Sequence, residues 1–204
     1  MNNKRNINSA FESPLRGGGG FFLETINIQN GIIQNLQGHE MRMRQTATHF
    51  NFSAPDISNL EKFVPKSMEK CLKVKMRIVY HTKINEISFE EYTPKVVKSF
   101  KLVEASPDYS FKFADRTALN ALLSQKGDAD EILIVRNGCI TDTSFSNVVF
   151  RSGNDFFTPD TYLLNGTKRQ LLLKNGVIRK TRITVENMGE FEEIMLINAM
   201  LDLD

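Results

Sequence analysis

The hydrophobic pattern of the first hundred residues changes between strand and helix periods. Residues 21–28, FFLETINI, predict a strand, and the Asn-Gly pair at 30–31 predicts a hairpin turn into the returning segment GIIQNL. Apolar side chains then recur at helical spacing in LQGHEMRMRQTATHF, which predicts a helix with a buried stripe. Residues 55–70 predict a second helix that Pro65 interrupts, and LKVKMRIVYH and NEISFEEYT predict two further strands.

Strand patterns dominate the second half of the chain. The segment SFKLVEASPDYS contains a proline and is interpreted as a connection to FKFADR and to a helix, RTALNALLSQKG, that ends at Gly127. Strands are predicted for EILIVRNG, CITDTSFSNVVFRSGN, DFFTPD, IRKTRITVEN and EEIMLINAML, and a short helix for GTKRQLLLKNG. These elements predict an α+β protein with a flexible segment over residues 1–20, an N-terminal domain with its linker over 21–105, and a C-terminal domain over 106–204.

Composition and charge exclude several classes of function. The chain has 26 Lys and Arg residues against 24 Asp and Glu residues, so a nucleic-acid partner is not expected. No apolar run approaches the roughly 20 residues that cross a bilayer, and the N-terminus lacks the apolar stretch of a secretory signal. Two cysteines and three histidines, all well separated, form neither a disulfide framework nor a metal motif. We therefore expect a cytoplasmic protein without a bound metal.

Four separated segments carry candidate chemistry, and each has a simpler explanation. Lys112 stands between two phenylalanines, so in an extended chain it faces away from them, either into water or into a pocket where its amine could act as a nucleophile. Asp142 lies in a hydroxyl-rich predicted strand that could simply face solvent. Thr167 and Lys168 open a helix whose first amides could bind an anion, or the threonine could only cap the helix. Arg42, one turn after His39, could be a surface arginine.

The order of these motifs resembles the class IV aminotransferase family, the fold-type IV enzymes that use pyridoxal phosphate. An E-T-I, N-G and H-x-x-R array comes first, followed by Lys112, the segment G-C-I-T-D with a nearby Asn, a Thr-Pro pair and an L-x-G-T-x-R helix start. The resemblance runs from about Glu24 to Asn198 and implies a two-domain fold with a small α+β domain and a larger β-rich pseudo-barrel domain. It also implies a homodimer.

The resemblance assigns expected roles to individual residues. Lys112 matches the lysine that forms the Schiff base with the cofactor, and Asp142 matches the acidic residue, usually Glu, that pairs with the pyridinium nitrogen. The shorter aspartate would need the ring or the strand to lie slightly closer. The phosphate-side residues implied by the resemblance are Arg42, Thr167, Lys168 and Asn198. The chemistry of this cofactor requires the same kinds of group: a buried carboxylate, an amine with a lowered pKa, and an arginine beside a helix N-terminus.

The resemblance leaves the reaction open between two enzymes and a third class of protein. The spacing in KFADR is closest to the K-x-x-N-R pattern of aminodeoxychorismate lyases, although Asp115 replaces the Asn, and this favours cleavage of 4-amino-4-deoxychorismate into 4-aminobenzoate and pyruvate. The alternative is a branched-chain or D-amino-acid aminotransferase, and the third class is a cofactor-binding relative without turnover. Candidates for binding a substrate carboxylate are Arg77, Tyr80 and Tyr92, which could equally be strand residues whose polar groups are exposed to solvent.

Overall fold

The strands of the first half pair into one antiparallel sheet. In the computed structural model, which describes residues 3–6 and 20–203, this sheet has the order β1-β5-β4-β2-β3. Its strands are β1 (Asn3–Asn6), β2 (Phe22–Gln29), β3 (Ile32–Ile33), β4 (Lys73–Tyr80) and β5 (Ile84–Glu91). The predicted hairpin turn is confirmed: Asn30 and Gly31 have φ angles of 51° and 78°, the left-handed conformation that Asn and Gly tolerate.

One face of this sheet forms the core of the first unit, which contains the described residues up to Pro94 together with Phe111–Asp115. The predicted first helix is confirmed as α1 (Leu36–His49), and it buries Met43 and Ala47. The predicted flexible segment over residues 1–20 lies outside the described residues, apart from β1 and Gly20.

The helix predicted over residues 55–70 is wrong. The structure has two short 3₁₀ turns there, Leu60–Phe63 and Lys66–Met68, and Pro65 separates them. Asp56 accepts a hydrogen bond from the Ser58 amide at 2.8 Å, which makes a local turn before these segments. Burial of Ile57 and Leu60 in the core, rather than helix formation, explains the apolar spacing of this segment.

The second unit contains Lys95–Ser110 and Arg116–Asp204 as far as residue 203 is described. One sheet has the order β6-β7-β8, and a second sheet has the order β11-β10-β9-β12. Their strands are β6 (Phe100–Glu104), β7 (Glu131–Arg136), β8 (Cys139–Ile140), β9 (Asn147–Ser152), β10 (Asp155–Pro159), β11 (Arg179–Thr181) and β12 (Glu193–Ile197). The helices of this unit are α2 (Thr117–Leu123) and α3 (Thr167–Lys174), both predicted from the sequence.

Two features of the second unit differ from the sequence prediction. Phe100–Glu104, interpreted as part of a connection, is a strand that pairs in parallel with β7. The single strand predicted from Cys139 onward is broken over residues 141–146, so Asp142 lies in a loop rather than in a strand. The hydroxyl groups of Thr143 and Ser146 hydrogen-bond each other at 2.8 Å in this loop, and the amide of Ser146 donates to Thr143 Oγ1 at 3.0 Å. These bonds close a tight turn between Asp142 and Asn147, which form an isolated antiparallel bridge.

The structure therefore has the expected α+β architecture, with a sheet-and-helix unit and a β-rich unit. The domain bounds predicted from the sequence, 21–105 and 106–204, stay a prediction. Within the described residues, no helix combines the length and apolar character that a bilayer crossing requires.

Candidate active site

Lys112 lies on a short segment that packs alongside the start of β2. The Lys112 carbonyl accepts a hydrogen bond from the Leu23 amide at 2.8 Å, and Phe113 forms an isolated bridge with Phe22. The rings of Phe111 and Phe113 pack on the core, with centroids 4.9 Å from Phe50 and 5.4 Å from Phe22, respectively. Both phenylalanines thus serve packing, as their alternation with Lys112 predicted. Lys112 itself is half-buried, so the interpretation as a fully solvated lysine is not supported.

Arg42 belongs to a buried polar group on the same unit. Its Nε donates to Glu24 Oε1 at 2.8 Å, its Nη2 donates to Glu24 Oε2, and His39 Nδ1 lies 2.6 Å from the same Oε2. Glu24 is 0% exposed and Arg42 is 8% exposed, which rules out a surface arginine. Because α1 places His39 and Arg42 on one face, both reach the same carboxylate on β2.

The charges of this group are fixed by their mutual contacts. Burial acts to raise the pKa of Glu24, but the Arg42 charge and the hydrogen bonds from His39 and Arg42 outweigh it and hold that pKa at about 2. Burial lowers the pKa of His39, and the positive charges of Arg42 and Lys112 act in the same direction. The group therefore contains one carboxylate, one guanidinium and a neutral imidazole at neutral pH. Lys112 is close enough for its charge to act on His39.

The three candidate substrate residues lie in different environments. Tyr80 is a core residue, 1% exposed, and burial raises the pKa of its hydroxyl, which hydrogen-bonds with Thr46. Arg77 lies on β4 with its guanidinium 3.8 Å from the Glu86 carboxylate. Tyr92 follows β5, is half-buried, and has its pKa raised by burial. Their substrate roles stay predictions, and Tyr80 is the one whose side chain is enclosed by the core.

Asp142 is the buried carboxylate of the second unit. Its Oδ1 accepts a hydrogen bond from Asn147 Nδ2 at 2.8 Å, and its Oδ2 accepts the amides of Leu163 and Leu164 at 3.0 and 2.9 Å. Burial raises its pKa to about 6, although these hydrogen bonds and the charge of Arg169 oppose the shift. A carboxylate has about four acceptor positions. The three hydrogen bonds leave capacity for one more donor, such as a ring N–H.

The N-terminus of α3 follows directly from the loop that Asp142 holds. Gly166 precedes the helix in an extended conformation, and Thr167 is 4% exposed. The side chain of Lys168 pairs with Asp202 at 2.7 Å, so a phosphate role for this residue would fall to its backbone amide. The first amides of a helix point along its axis and attract anions.

Asn198, at the end of β12, uses its side chain within the chain. Its Oδ1 accepts the amides of Met200 and Leu201 at 2.8 and 3.1 Å, and its Nδ2 donates to the carbonyl of Phe145 at 3.4 Å. These bonds shape the turn that follows β12. The expected phosphate-side role of Asn198 stays a prediction.

Sequence reasoning did not assign roles to three buried residues: Glu24, Asn147 and Arg169. Glu24 is the single charged residue of the strand Phe22–Gln29, which is the signal that could have identified it, because a buried charge needs a partner. Arg169 is 3% exposed, and it donates to the carbonyl of Pro159 at 2.9 Å and to Asn165 Oδ1 at 3.0 Å. Its position after G-T-x did not indicate those partners.

Each unit contains residue types that suit pyridoxal phosphate. The first unit contains an amine at Lys112 and a buried guanidinium at Arg42. The second unit contains a buried carboxylate at Asp142 and the N-terminus of α3. An aldehyde, a phosphate and a ring nitrogen are the parts of the cofactor that such groups bind. Within the described residues, no cluster of His, Cys, Asp and Glu has the arrangement of a metal site.

Comparisons with known proteins place the chain in one family. The family model for amino-transferase class IV matches residues 21–203. An uncharacterized protein of Haemophilus influenzae is 39% identical over 87% of this chain and 96% of its own. A crystal structure of a protein from Haemophilus somnus, provisionally named 4-amino-4-deoxychorismate lyase, is 37% identical with a TM-score of 0.81, over 89% of this chain and 96% of that one. A Schizosaccharomyces pombe protein, provisionally named aminodeoxychorismate lyase, is 24% identical over 84% of this chain and 83% of its own.

Proposed function

Because the chain belongs to the class IV aminotransferase family, whose members depend on pyridoxal phosphate, we propose that it is a lyase that converts 4-amino-4-deoxychorismate into 4-aminobenzoate and pyruvate. The observation that carries the proposal is the buried carboxylate of Asp142, which has capacity for one further donor and lies on the loop leading into α3. A buried carboxylate with that capacity is suited to a protonated ring nitrogen.

Different residues of this chain would bind the cofactor and transfer protons. The cofactor, when bound, supplies an electron sink for the substrate. Asp142 would keep the ring nitrogen protonated, and Arg42, with the amides of Thr167 and Lys168 and with Asn198, would hold the phosphate. Lys112 would attach the cofactor covalently and, once released, would move protons between substrate carbons. Glu24 and His39 hold the guanidinium of Arg42 in one orientation.

Two observations favour the lyase over an aminotransferase. Two of the relatives that match most of the chain, from Haemophilus somnus and Schizosaccharomyces pombe, are provisionally named aminodeoxychorismate lyases. The spacing of Lys112 and Arg116 also resembles the K-x-x-N-R pattern of aminodeoxychorismate lyases, with Asp115 in place of the Asn. Arg116, which directly precedes α2, donates a hydrogen bond to the carbonyl of Ser144 at 2.6 Å. This bond connects the start of α2 to the loop that contains Asp142.

The lyase reaction differs from transamination in that it needs no second substrate. The bond from the ring to the enolpyruvyl oxygen breaks, the ring loses a proton and becomes aromatic, and the enolpyruvate gains a proton to give pyruvate. The two products contain every atom of the substrate, so neither water nor an amino acceptor is consumed. An aminotransferase, by contrast, stops after one half-reaction unless a keto acid is present.

This difference gives the test. Purified protein loaded with pyridoxal phosphate is given 4-amino-4-deoxychorismate without any keto acid, and pyruvate is followed continuously with lactate dehydrogenase. We expect many turnovers of pyruvate from the wild type and from the exposed-lysine control Lys101→Ala, and none from Lys112→Ala. Transfer from branched-chain or D-amino acids that depends strictly on 2-oxoglutarate, with no pyruvate from aminodeoxychorismate, would overturn the lyase assignment. No turnover with either substrate class would indicate a cofactor-binding relative.

We also propose that the protein acts as a homodimer in the cytoplasm. The dimer rests on the family resemblance, and the cytoplasmic location on the residue composition.

A further inference from the structure

Asn147, the first residue of β9, touches both the carboxylate of Asp142 and the loop before α3. Its Nδ2 donates two hydrogen bonds, one to Asp142 Oδ1 at 2.8 Å and one to the carbonyl of Leu164 at 2.8 Å. The residue is 6% exposed. One amide group thus joins the proposed ring-nitrogen partner to the segment that leads into the proposed phosphate site.

A third contact brings Asn147 against the residue that precedes α3. A Cβ atom placed on Gly166 would lie 2.1 Å from Asn147 Oδ1, a distance that real Cβ atoms do not adopt. Glycine at this position is therefore required for the close approach of the two segments. Asn147 contacts this loop at Leu164 and Gly166, while Asp142 accepts hydrogen bonds from the amides of Leu163 and Leu164 in the same loop.

We propose that Asn147 is a positioning residue that fixes the carboxylate of Asp142 and the N-terminal turn of α3 as one rigid arrangement, so that ring-nitrogen contact and phosphate contact depend on each other. This inference rests on the proposed function, because only that function assigns the ring nitrogen to Asp142 and the phosphate to the N-terminus of α3. A displacement of Asn147 then disturbs both ends of the cofactor, although its own side chain needs to touch neither end.

The electrostatics of Asp142 agree with this arrangement. The hydrogen bond from Asn147 lowers the pKa of Asp142, against the larger effect of burial, and so do the amides of Leu163 and Leu164. Arg169 is the charged group whose field acts on Asp142. Loss of the Asn147 hydrogen bond therefore raises the pKa of Asp142 further, and this change is measurable in the protein without cofactor.

The first experiment compares Asn147→Ala with Asn154→Ala, the same substitution at an exposed turn. The pKa of Asp142 is measured in the apoprotein by carboxyl carbon NMR, and the affinity for inorganic phosphate by calorimetry. We expect Asn147→Ala to raise that pKa and to weaken phosphate binding about 10-fold, since hydrogen bonds of this kind contribute factors of this size. Asn154→Ala should change neither quantity.

The second experiment disturbs the same contact from the opposite side. Gly166→Ala leaves Asp142 and Asn147 chemically intact but pushes the Asn147 side chain away, and Gly189→Ala is the control because a Cβ there meets nothing within 4 Å. We expect the pKa of Asp142 to rise in Gly166→Ala and to stay unchanged in Gly189→Ala. This variant also carries the test if Asn147→Ala does not fold.

The outcomes separate this inference from the proposed function. A change in phosphate affinity without a change in the pKa of Asp142, or the reverse, would overturn the coupling. The inference alone would be overturned if the wild type binds pyridoxal phosphate but neither Asn147→Ala nor Gly166→Ala changes the pKa of Asp142 or the affinity for phosphate. Wild-type protein that does not bind pyridoxal phosphate would overturn the proposed function, and the pKa measurement on the apoprotein would still decide whether Asn147 positions Asp142.

Discussion

Replacing Asp142 by asparagine should stabilise the apoprotein at neutral pH while it removes activity. Burial raises the pKa of Asp142 from 3.8 to about 6. Because the folded state binds this proton more tightly than the unfolded state, the contribution to stability is fully present below pH 3.8 and is lost as the pH rises through 6. At pH 8 the ionised, buried carboxylate therefore costs folding free energy that a neutral asparagine does not.

The magnitude follows from the size of the pKa difference. The shift of about two pH units, at about 1.4 kcal/mol for each unit, corresponds to about 3 kcal/mol. An asparagine oxygen can still accept the amides of Leu163 and Leu164, but its NH₂ group then faces Asn147 Nδ2. The loss of that one hydrogen bond costs about 1 kcal/mol. The net expectation is a gain of about 2 kcal/mol at pH 8 and a loss of about 1 kcal/mol below pH 4.

Urea unfolding of the apoprotein at several pH values between 3.5 and 8 measures this difference. The quantity of interest is the free energy of unfolding of Asp142→Asn minus that of the wild type, because other titrating groups cancel in it. Asn154→Ala, a substitution at an exposed turn that changes no titratable group, is the control and should give a difference that does not vary with pH. In parallel, turnover by Asp142→Asn should fall at least 100-fold, which is about 2.7 kcal/mol of barrier. A difference that stays flat across this pH range would refute the reasoning.

Three further predictions concern the same groups. Asp142→Glu keeps the charge, so its turnover should fall less than that of Asp142→Asn, although the added methylene crowds a site that is 5% exposed; steady-state pyruvate release measures both. Glu24→Gln should destabilise the protein by about 3 kcal/mol at pH 7, because Arg42 stays buried without its carboxylate. Because the pKa of Glu24 falls from 4.5 to about 2, the wild type has this contribution above pH 4.5 and loses it as the pH falls towards 2, whereas the variant lacks that acid-dependent loss in urea titrations. Sedimentation of the cofactor-loaded protein at micromolar concentration should give a dimer, and an active monomer would contradict this.

Elements specified by local chemistry were predicted well from the sequence. The Asn30-Gly31 pair adopts the positive φ angles of a hairpin turn, and the apolar spacing of Met43 and Ala47 gives a helix within a residue of the predicted bounds. The alternation along β4 likewise matches its burial pattern, in which Val74, Met76 and Ile78 are buried. In these segments the local sequence pattern and the tertiary contacts favour the same conformation.

Elements that depend on distant partners were predicted poorly. Phe100–Glu104 is a strand that pairs with β7, about thirty residues later, whereas its segment was interpreted as a connection because of the proline at position 107. Residues 55–70 have helical spacing, but Pro65 and the burial of Ile57 and Leu60 produce only short turns. The break over residues 141–146 is a tight turn in which the hydroxyl groups of Thr143 and Ser146 hydrogen-bond locally.

The candidate site shows the same division. Lys112, Asp142 and Arg42 were predicted as site residues because the order of their motifs resembles a family, not because any one motif is specific. The partners of these residues, such as Glu24 for Arg42 and Leu163 for Asp142, lie 18 and 21 positions away. Contacts at such separations follow from the fold. The sequence alone therefore does not identify the hydrogen-bond partners of Arg42 and Asp142.

The most direct test of the central claim is to locate the covalent attachment of pyridoxal phosphate. The wild-type protein is loaded with the cofactor, reduced with borohydride, digested and analysed by mass spectrometry, with Lys112→Ala and Lys101→Ala treated alongside. The account predicts a single reduced adduct on Lys112 in the wild type and in Lys101→Ala, and no adduct in Lys112→Ala. An adduct on a different lysine, or one that persists in Lys112→Ala, would contradict it.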